Sequence, residues 1–185
     1  MSEEEIIEGC KQGNRQAQQR LYNLYKSKLY AVCVRYAANK MEAEDVLQEG
    51  FLKIFNNIHK YQFTGAFGAW VKTVMVNTAI EQYRRNKRSI IDVTDEMPVG
   101  AAFDDNIIER MEGRKVLELI QNMPEGYRQV FNLYAVEGYK HHEIGTMLGI
   151  SEGTSKSQYA RGRKFLQDLM SKYYQTESSH VRTGF

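Results

Sequence analysis

The sequence predicts an all-α protein, two helical domains joined by an acidic linker. Three observations carry that prediction. Apolar residues recur at three- and four-residue steps through most of the chain, the spacing that lines one face of a helix. Only two prolines occur, Pro98 and Pro124, and both fall outside the long periodic segments, whose hydrogen bonds a proline would break. Between the two periodic halves lies a stretch that loses the period and gathers carboxylates.

Leu21, Leu24, Tyr25, Leu29, Val32, Cys33 and Tyr36 predict a first amphipathic helix of about 20 residues. Leu47, Phe51, Ile54, Phe55 and Ile58 repeat the pattern in a second. A third begins near Ala66, turns Phe67, Trp70, Val71, Val74 and Tyr83 inward, and ends in the basic run Arg84-Arg85-Asn86-Lys87-Arg88. Three helices of this length enclose one core, which makes residues 1–90 a first domain. From Ser89 to Asn106 the periodicity is lost. Pro98, Gly100, Asp92, Asp95, Glu96, Asp104 and Asp105 mark residues 91–107 as an acidic linker. Helical spacing returns at Ile108, Met111, Leu117 and Ile120, stops at Met123-Pro124, and resumes through Val130, Phe131 and Tyr134. The second domain is expected over residues 108–174, and the polar residues 175–185 as a flexible tail.

Within that second domain, His142 to Thr154 reads as the end of one helix, a glycine turn, and the capped start of another. Ile144 and Leu148 lie one turn apart, Gly149 suits the left-handed angle of a C-cap, and Ser151 suits an N-cap accepting an amide two or three residues on. This is a helix-turn-helix. Lys156, Arg161, Arg163 and Lys164 then fall in the first turns of the following helix, as suits entry into the DNA major groove. The plainer alternative is a helical hairpin with a solvated basic face.

In the first domain, Asp45, Gln48, Glu49 and Leu52 share a helix face opposite the apolar one. On its own such a face is simply solvated. Further on, aromatics gather around a loop from Tyr61 to Trp70, and the chain continues through Asn77 into the basic run. Rings beside a basic groove suit single-stranded DNA, whose bases stack while the backbone follows the positive charge. Phe67 and Trp70, at helical spacing, read as core, which leaves Tyr61 and Phe63 for an exposed role.

Other classes of function find no support. Cys10 and Cys33 are isolated, so neither a disulfide framework nor a metal site is indicated. His141 and His142 are adjacent, about 100° apart on a helix, and read as solvated or capping residues. No acid pair, nucleophile motif or phosphate loop points to an enzyme or a cofactor. The formal charge of +2 is small, so its local pattern carries the information. An acidic Met1-Ser2-Glu3-Glu4-Glu5 start and the lack of a long apolar run predict a cytoplasmic protein without membrane insertion.

Taken in order, Asp45-x-x-Gln48-Glu49-x-Phe51, Phe67-x-x-Trp70, Asn77, Arg84-Arg85, Met123-Pro124, Glu143-Ile144, Gly153-Thr154 and Lys156-Ser157 resemble a bacterial sigma factor of the sigma-70 family. The likeness is to the compact extracytoplasmic-function (ECF) group, which keeps only regions 2 and 4. It implies a protein that binds core RNA polymerase, at the beta-prime clamp helices and the beta flap, and directs it to minus-35 and minus-10 promoter DNA, promoting melting. It implies core docking by Asp45, Gln48, Glu49 and Leu52. Tyr61, Gln62, Phe63 and Thr64 match the loop that receives a flipped minus-10 base, Asn77 matches a residue lining that site, and Arg84, Arg85, Lys87 and Arg88 flank it. Thr154, Lys156, Ser157, Ala160, Arg161 and Lys164 match the helix that enters the minus-35 groove.

This sequence departs from the family pattern at several positions. Ser155 stands where valine is usual, Gly145 where alanine is usual, and Glu81 where aspartate is common, while Ala160 offers little to a base. The first two are expected to loosen region 4, because glycine costs helix stability and a core hydroxyl needs a partner. The resemblance leaves open the promoter recognised and whether an anti-sigma factor is a partner. Its rival is a conventional helix-turn-helix regulator that binds duplex DNA on its own, commonly as a dimer.

Overall fold

In the computed structural model, which describes residues 2–87 and 113–182, all regular structure among the described residues is helical. The acidic linker, Arg88, Ile108 and Met111 lie outside the described residues. The chain divides into two compact units, Met1–Ile91 and Asp92–Phe185.

The first unit opens with a helix that the apolar periodicity passed over, α1 (Glu3–Lys11). Its start is a capping box: Ser2 Oγ accepts the Glu5 amide at 3.2 Å, while the Glu5 carboxylate accepts the Ser2 amide at 2.7 Å. Glu3, Glu4 and Glu5 also face the positive end of the helix dipole. Ile7 and Cys10, one turn apart, bury its inner face. The readable signal was Ser-x-x-Glu before that apolar pair.

Helix α2 (Arg15–Tyr36) is capped by Asn14, whose Oδ1 accepts the Gln16 and Ala17 amides. It buries Leu21, Tyr25, Leu29, Val32, Cys33 and Tyr36. Leu24, expected to point inward, is 48% exposed. The buried stripe advances from Leu21 to Tyr25 to Leu29, which leaves Leu24 about 100° away from Tyr25 on the flank. Helix α3 (Lys40–Asn57) starts on Asn39 and buries Val46, Leu47, Gly50, Phe51 and Ile54. A 3-10 turn, Ile58–Lys60, and an irregular loop then lead into α4 (Phe67–Lys87). Helix α3 runs so close to α4 that a Cβ at Gly50 would lie 2.4 Å from Met75 Sδ. Cys10 and Cys33 are buried free thiols, and burial pushes the Cys33 thiol up to about 12, so it packs as an inert group.

The second unit contains α5 (Gly113–Gln121), α6 (Glu125–Phe131) with a π-helical continuation over Asn132–Val136, α7 (His141–Leu148) and α8 (Glu152–Arg182). Leu119, Ile120, Met123, Phe131, Leu166 and Met170 form its core. Full burial of each such side chain contributes about 1.5–3 kcal/mol. The break at Pro124 leaves carbonyls at the end of α5 and just beyond it without helical partners. Arg128, 3% exposed, supplies them: its Nη1 donates to Gln121 O at 2.9 Å and Met123 O at 3.3 Å.

Helix α8 continues to Arg182, past the point near residue 174 where polar composition suggested a tail. No proline or glycine interrupts the chain between Gly162 and Gly184, and polar residues alone do not end a helix. Among the described residues, no helix is long and apolar enough to cross a membrane, and no cluster of His, Cys, Asp or Glu forms a metal site.

Candidate nucleic-acid interface

The loop between the 3-10 turn and α4 is built on a cluster of rings. Tyr61 packs against Phe67 with centroids 5.0 Å apart and against Trp70 at 5.7 Å, and Phe67 stacks on Trp70 at 5.6 Å. Tyr61 is therefore buried, 7% exposed, rather than presented to solvent as expected. Its hydroxyl donates to the Gly65 carbonyl across the loop, so the ring is the loop's internal strut. Phe63 keeps the exposure expected of it, and Trp70, expected in the core, is only half-buried.

Around that strut lies an open pocket of about 300 Å³, lined by Lys60, Tyr61, Gln62, Thr64, Trp70 and Thr73 among others. Its wall combines ring faces with an amide, a hydroxyl and an ammonium. A flat heterocycle can stack there and hydrogen-bond at its edge. From the pocket, Thr73, Asn77 and Arg84 follow at four and seven residues on the exposed side of α4, one stripe of the helix. Asn77 and Arg84 are exposed, while Lys87 is half-buried.

Arg85 is differently placed. Its Nη2 donates to the Glu49 carboxylate of α3 at 2.6 Å. Glu49 also holds Lys53 Nζ at 2.9 Å, and Lys53 reaches Glu81 of α4 at 2.6 Å. The Arg85 hydrogen bond is the main reason that the Glu49 carboxyl lies below its usual range, and the same bond holds the Arg85 guanidinium above its own. Sequence periodicity put Glu49 on one face with Asp45, Gln48 and Leu52. Asp45, Gln48 and Leu52 are exposed, Leu52 by 63%, whereas Glu49 turns toward α4.

The helix-turn-helix spans α7 and α8. Lys140 N donates to the Glu143 carboxylate at 2.7 Å, which secures the start of α7, and Gly149 closes it at φ 70°. Ser151 Oγ accepts the Thr154 amide at 3.0 Å, the cap expected for α8. Both family departures have defined surroundings in this motif. A Cβ at Gly145 would stand 2.8 Å from the Ile150 carbonyl oxygen, so the tight turn uses the missing side chain. Ser155 is fully buried with His141 Nδ1 3.0 Å from its hydroxyl, and so ties α8 to α7. His141 is thus no solvated residue. Its ring lies flat on Tyr134, centroids 4.3 Å apart at 9°, and burial followed by the Lys156 charge holds its pKa below the ordinary range.

Along α8, Lys156 and Lys164 are exposed, while Thr154, Ser157, Ala160 and Arg161 are half-buried. Lys156 is paired with Glu152 one turn earlier at 2.7 Å. Thr154 and Ser157 are engaged in the first turn, where Ser157 Oγ donates to Thr154 O at 3.0 Å. Arg163 lies over the Tyr159 ring at 5.6 Å.

Comparison with known proteins assigns both units. Residues 21–89 match sigma-70 region 2 and residues 113–166 match sigma-70 region 4. The chain is 27% identical over 173 residues to the ECF RNA polymerase sigma factor SigW of Bacillus subtilis, covering 87% of this chain and 92% of that one. It is 25% identical over 180 residues to the ECF RNA polymerase sigma-E factor of Haemophilus influenzae, covering 91% and 95%. Among solved structures, the sigma factor RpoE of Bartonella quintana, in complex with the anti-sigma factor NepR, matches at a TM-score of 0.50 and 19% identity, over 83% of this chain and 96% of that one. Two region matches in the right order, on the two units and the helix-turn-helix described above, place the chain in the sigma-70 family of RNA polymerase sigma factors, within its ECF group.

Proposed function

We propose that this sigma factor docks on core RNA polymerase through the exposed α3 face of Asp45, Gln48 and Leu52, and captures one unpaired minus-10 base in the pocket beside Tyr61. The observation that carries the reading is the pocket itself, a ring-walled cavity continuous with the Thr73, Asn77 and Arg84 stripe. Extruding one base costs a few kcal/mol, which stacking and edge hydrogen bonds can offset. Gln62, Thr64 and Asn77 supply edge contacts and Trp70 the ring. Tyr61 acts from beneath as wall and strut, and Arg84 and Lys87 draw the strand's phosphates. In the second unit, Lys156, Ser157, Ala160, Arg161 and Lys164 form the face of α8 presented to the minus-35 major groove.

A conventional regulator has no use for melting, which makes melting the test. Because Tyr61 is buried, its removal would disturb the core; Gln62→Ala and Asn77→Ala are the informative changes. Both are expected to leave core binding intact and to slow open-complex formation on duplex promoters. A pre-melted minus-10 bubble should restore part of the loss. Normal melting by both variants would refute base capture in this loop.

A further inference from the structure

Phe63 is the one described non-glycine residue with positive φ, at 57°, a region that a side chain occupies only when its surroundings hold it there. Two contacts do so. Its ring leans on Tyr61, centroids 5.1 Å apart, and Lys11 Nζ sits over its face, 4.5 Å from the centroid. Phe63 does not line the pocket, but its neighbours Gln62 and Thr64 do. The left-handed residue between them sets which way both point.

Lys11 comes from the last turn of α1, ahead of the residues 21–89 that match region 2. It is held in place: its side chain is only 20% exposed, and Glu8 lies 3.8 Å from its ammonium. Helix α1 is itself fixed to the pocket's foundation. Glu3 accepts the Tyr25 hydroxyl, and the Tyr25 ring meets Phe67 edge-on at 5.6 Å. Phe67 in turn backs Trp70 in the pocket wall. A Cβ at Gly9 would stand 2.7 Å from Ala17 Cβ, so α1 seats directly on α2.

We propose that Lys11 is a positioning residue for base capture: its ammonium pins the Phe63 ring, which keeps Gln62 and Thr64 aimed into the pocket. This rests on the base-capture reading above. Without the cation, Phe63 relaxes out of the left-handed region, and the two pocket side chains lose their orientation.

The probe is a labelled single-stranded DNA oligonucleotide, selected from a random pool on wild-type holoenzyme and counter-selected on core polymerase alone. A matched set carries one abasic site at each position. The captured position is the one where loss of the base costs wild type most. Lys11→Met keeps the stem length and removes the charge. It is expected to weaken binding of the intact oligonucleotide about three- to tenfold, the range for loss of a cation–π contact, and to bind the oligonucleotide abasic at the captured position as wild type does. Lys11→Arg should retain binding. In a Phe63→Gly background, which removes both the ring and the strain, Lys11→Met should add nothing.

Equal loss on intact and abasic oligonucleotides would make Lys11 a phosphate contact and overturn the proposal, as would wild-type binding by Lys11→Met. If no abasic site weakens wild type, base capture itself fails and the proposal falls with it. Thermal unfolding of each variant identifies any loss that reflects misfolding, and Lys11→Arg then decides.

Discussion

The Glu49–Arg85 pair offers the sharpest separation between a residue that holds region 2 together and one proposed to dock it on the polymerase. Glu49 is 30% exposed and Arg85 56%, with oxygen and nitrogen 2.6 Å apart, and Lys53 and Glu81 extend the ladder between α3 and α4. A single exposed ion pair contributes about 0.2–1 kcal/mol. With two cations on one half-shielded carboxylate, Glu49→Gln should cost about 1 kcal/mol. For a domain of this size that corresponds to a Tm lower by about 4–8 °C. In a double-mutant cycle with Arg85→Gln, about 0.5–1 kcal/mol should appear as coupling, and it should shrink in high salt. The pH dependence has a definite sign. The Arg85 hydrogen bond lowers the folded-state pKa of Glu49, so its contribution is complete above the unfolded value of about 4.3 and is lost as pH falls through the lower folded value. Thermal unfolding followed by circular dichroism measures stability, and anisotropy titration measures core binding. Glu49→Gln should leave core affinity near wild type, while Gln48→Ala should weaken it. Strict additivity of the two substitutions, with Tm unchanged within about 1 °C, would refute the tie.

Two further predictions concern the helix-turn-helix. Gly145→Ala should destabilise the second unit by about 1 kcal/mol, because relieving the contact with the Ile150 carbonyl costs more than the helix propensity of alanine returns; a higher Tm for the variant would show that the turn yields freely. His141 has a folded-state pKa below its unfolded value of about 6.5, so its contribution is full above that value and declines as pH falls toward the folded one. His141→Gln should flatten the slope of Tm against pH in that window, and an unchanged slope would remove His141 as its source.

How far the sequence disclosed this protein depended on whether burial or local chemistry set each position. Long apolar stripes such as Leu21, Tyr25, Leu29 and Val32 repeat one face over several turns, so α2 to α4 were readable from spacing. Helix α1 was not, because at nine residues it shows one buried pair and relies on its cap. Within the candidate site, the loop from Tyr61 was legible as a place, and its ring orientations were not. Two aromatic positions, Tyr61 and Phe63, look alike in periodicity, yet one is the buried strut and the other is the exposed ring under Lys11. That partner is 52 positions away from it in the chain, beyond any local pattern. Likewise Ser155 reads as a flaw until His141 supplies its hydrogen bond from α7.

Two basic residues beside the proposed DNA faces are already paired with carboxylates, which bears on how this sigma factor would find a promoter. Arg85 meets Glu49 and Lys156 meets Glu152, both at less than 3 Å, so a phosphate approaching either cation exchanges one anion for another. Only the difference between the two contacts then contributes to binding, along with the counterions released from the DNA. With 25 basic and 23 acidic side chains in the chain, long-range attraction adds little. On the proposed reading these two cations add little to DNA affinity, and discrimination falls to contacts that depend on shape: a base seated in the ring-walled pocket, and α8 aligned in a groove. On the same reading such contacts form well only when the proposed partner, core polymerase, brings protein and promoter together. On that reading we expect Glu49 and Glu152 to add to selectivity, since a carboxylate beside a cation suppresses binding wherever the shape-dependent contacts are missing.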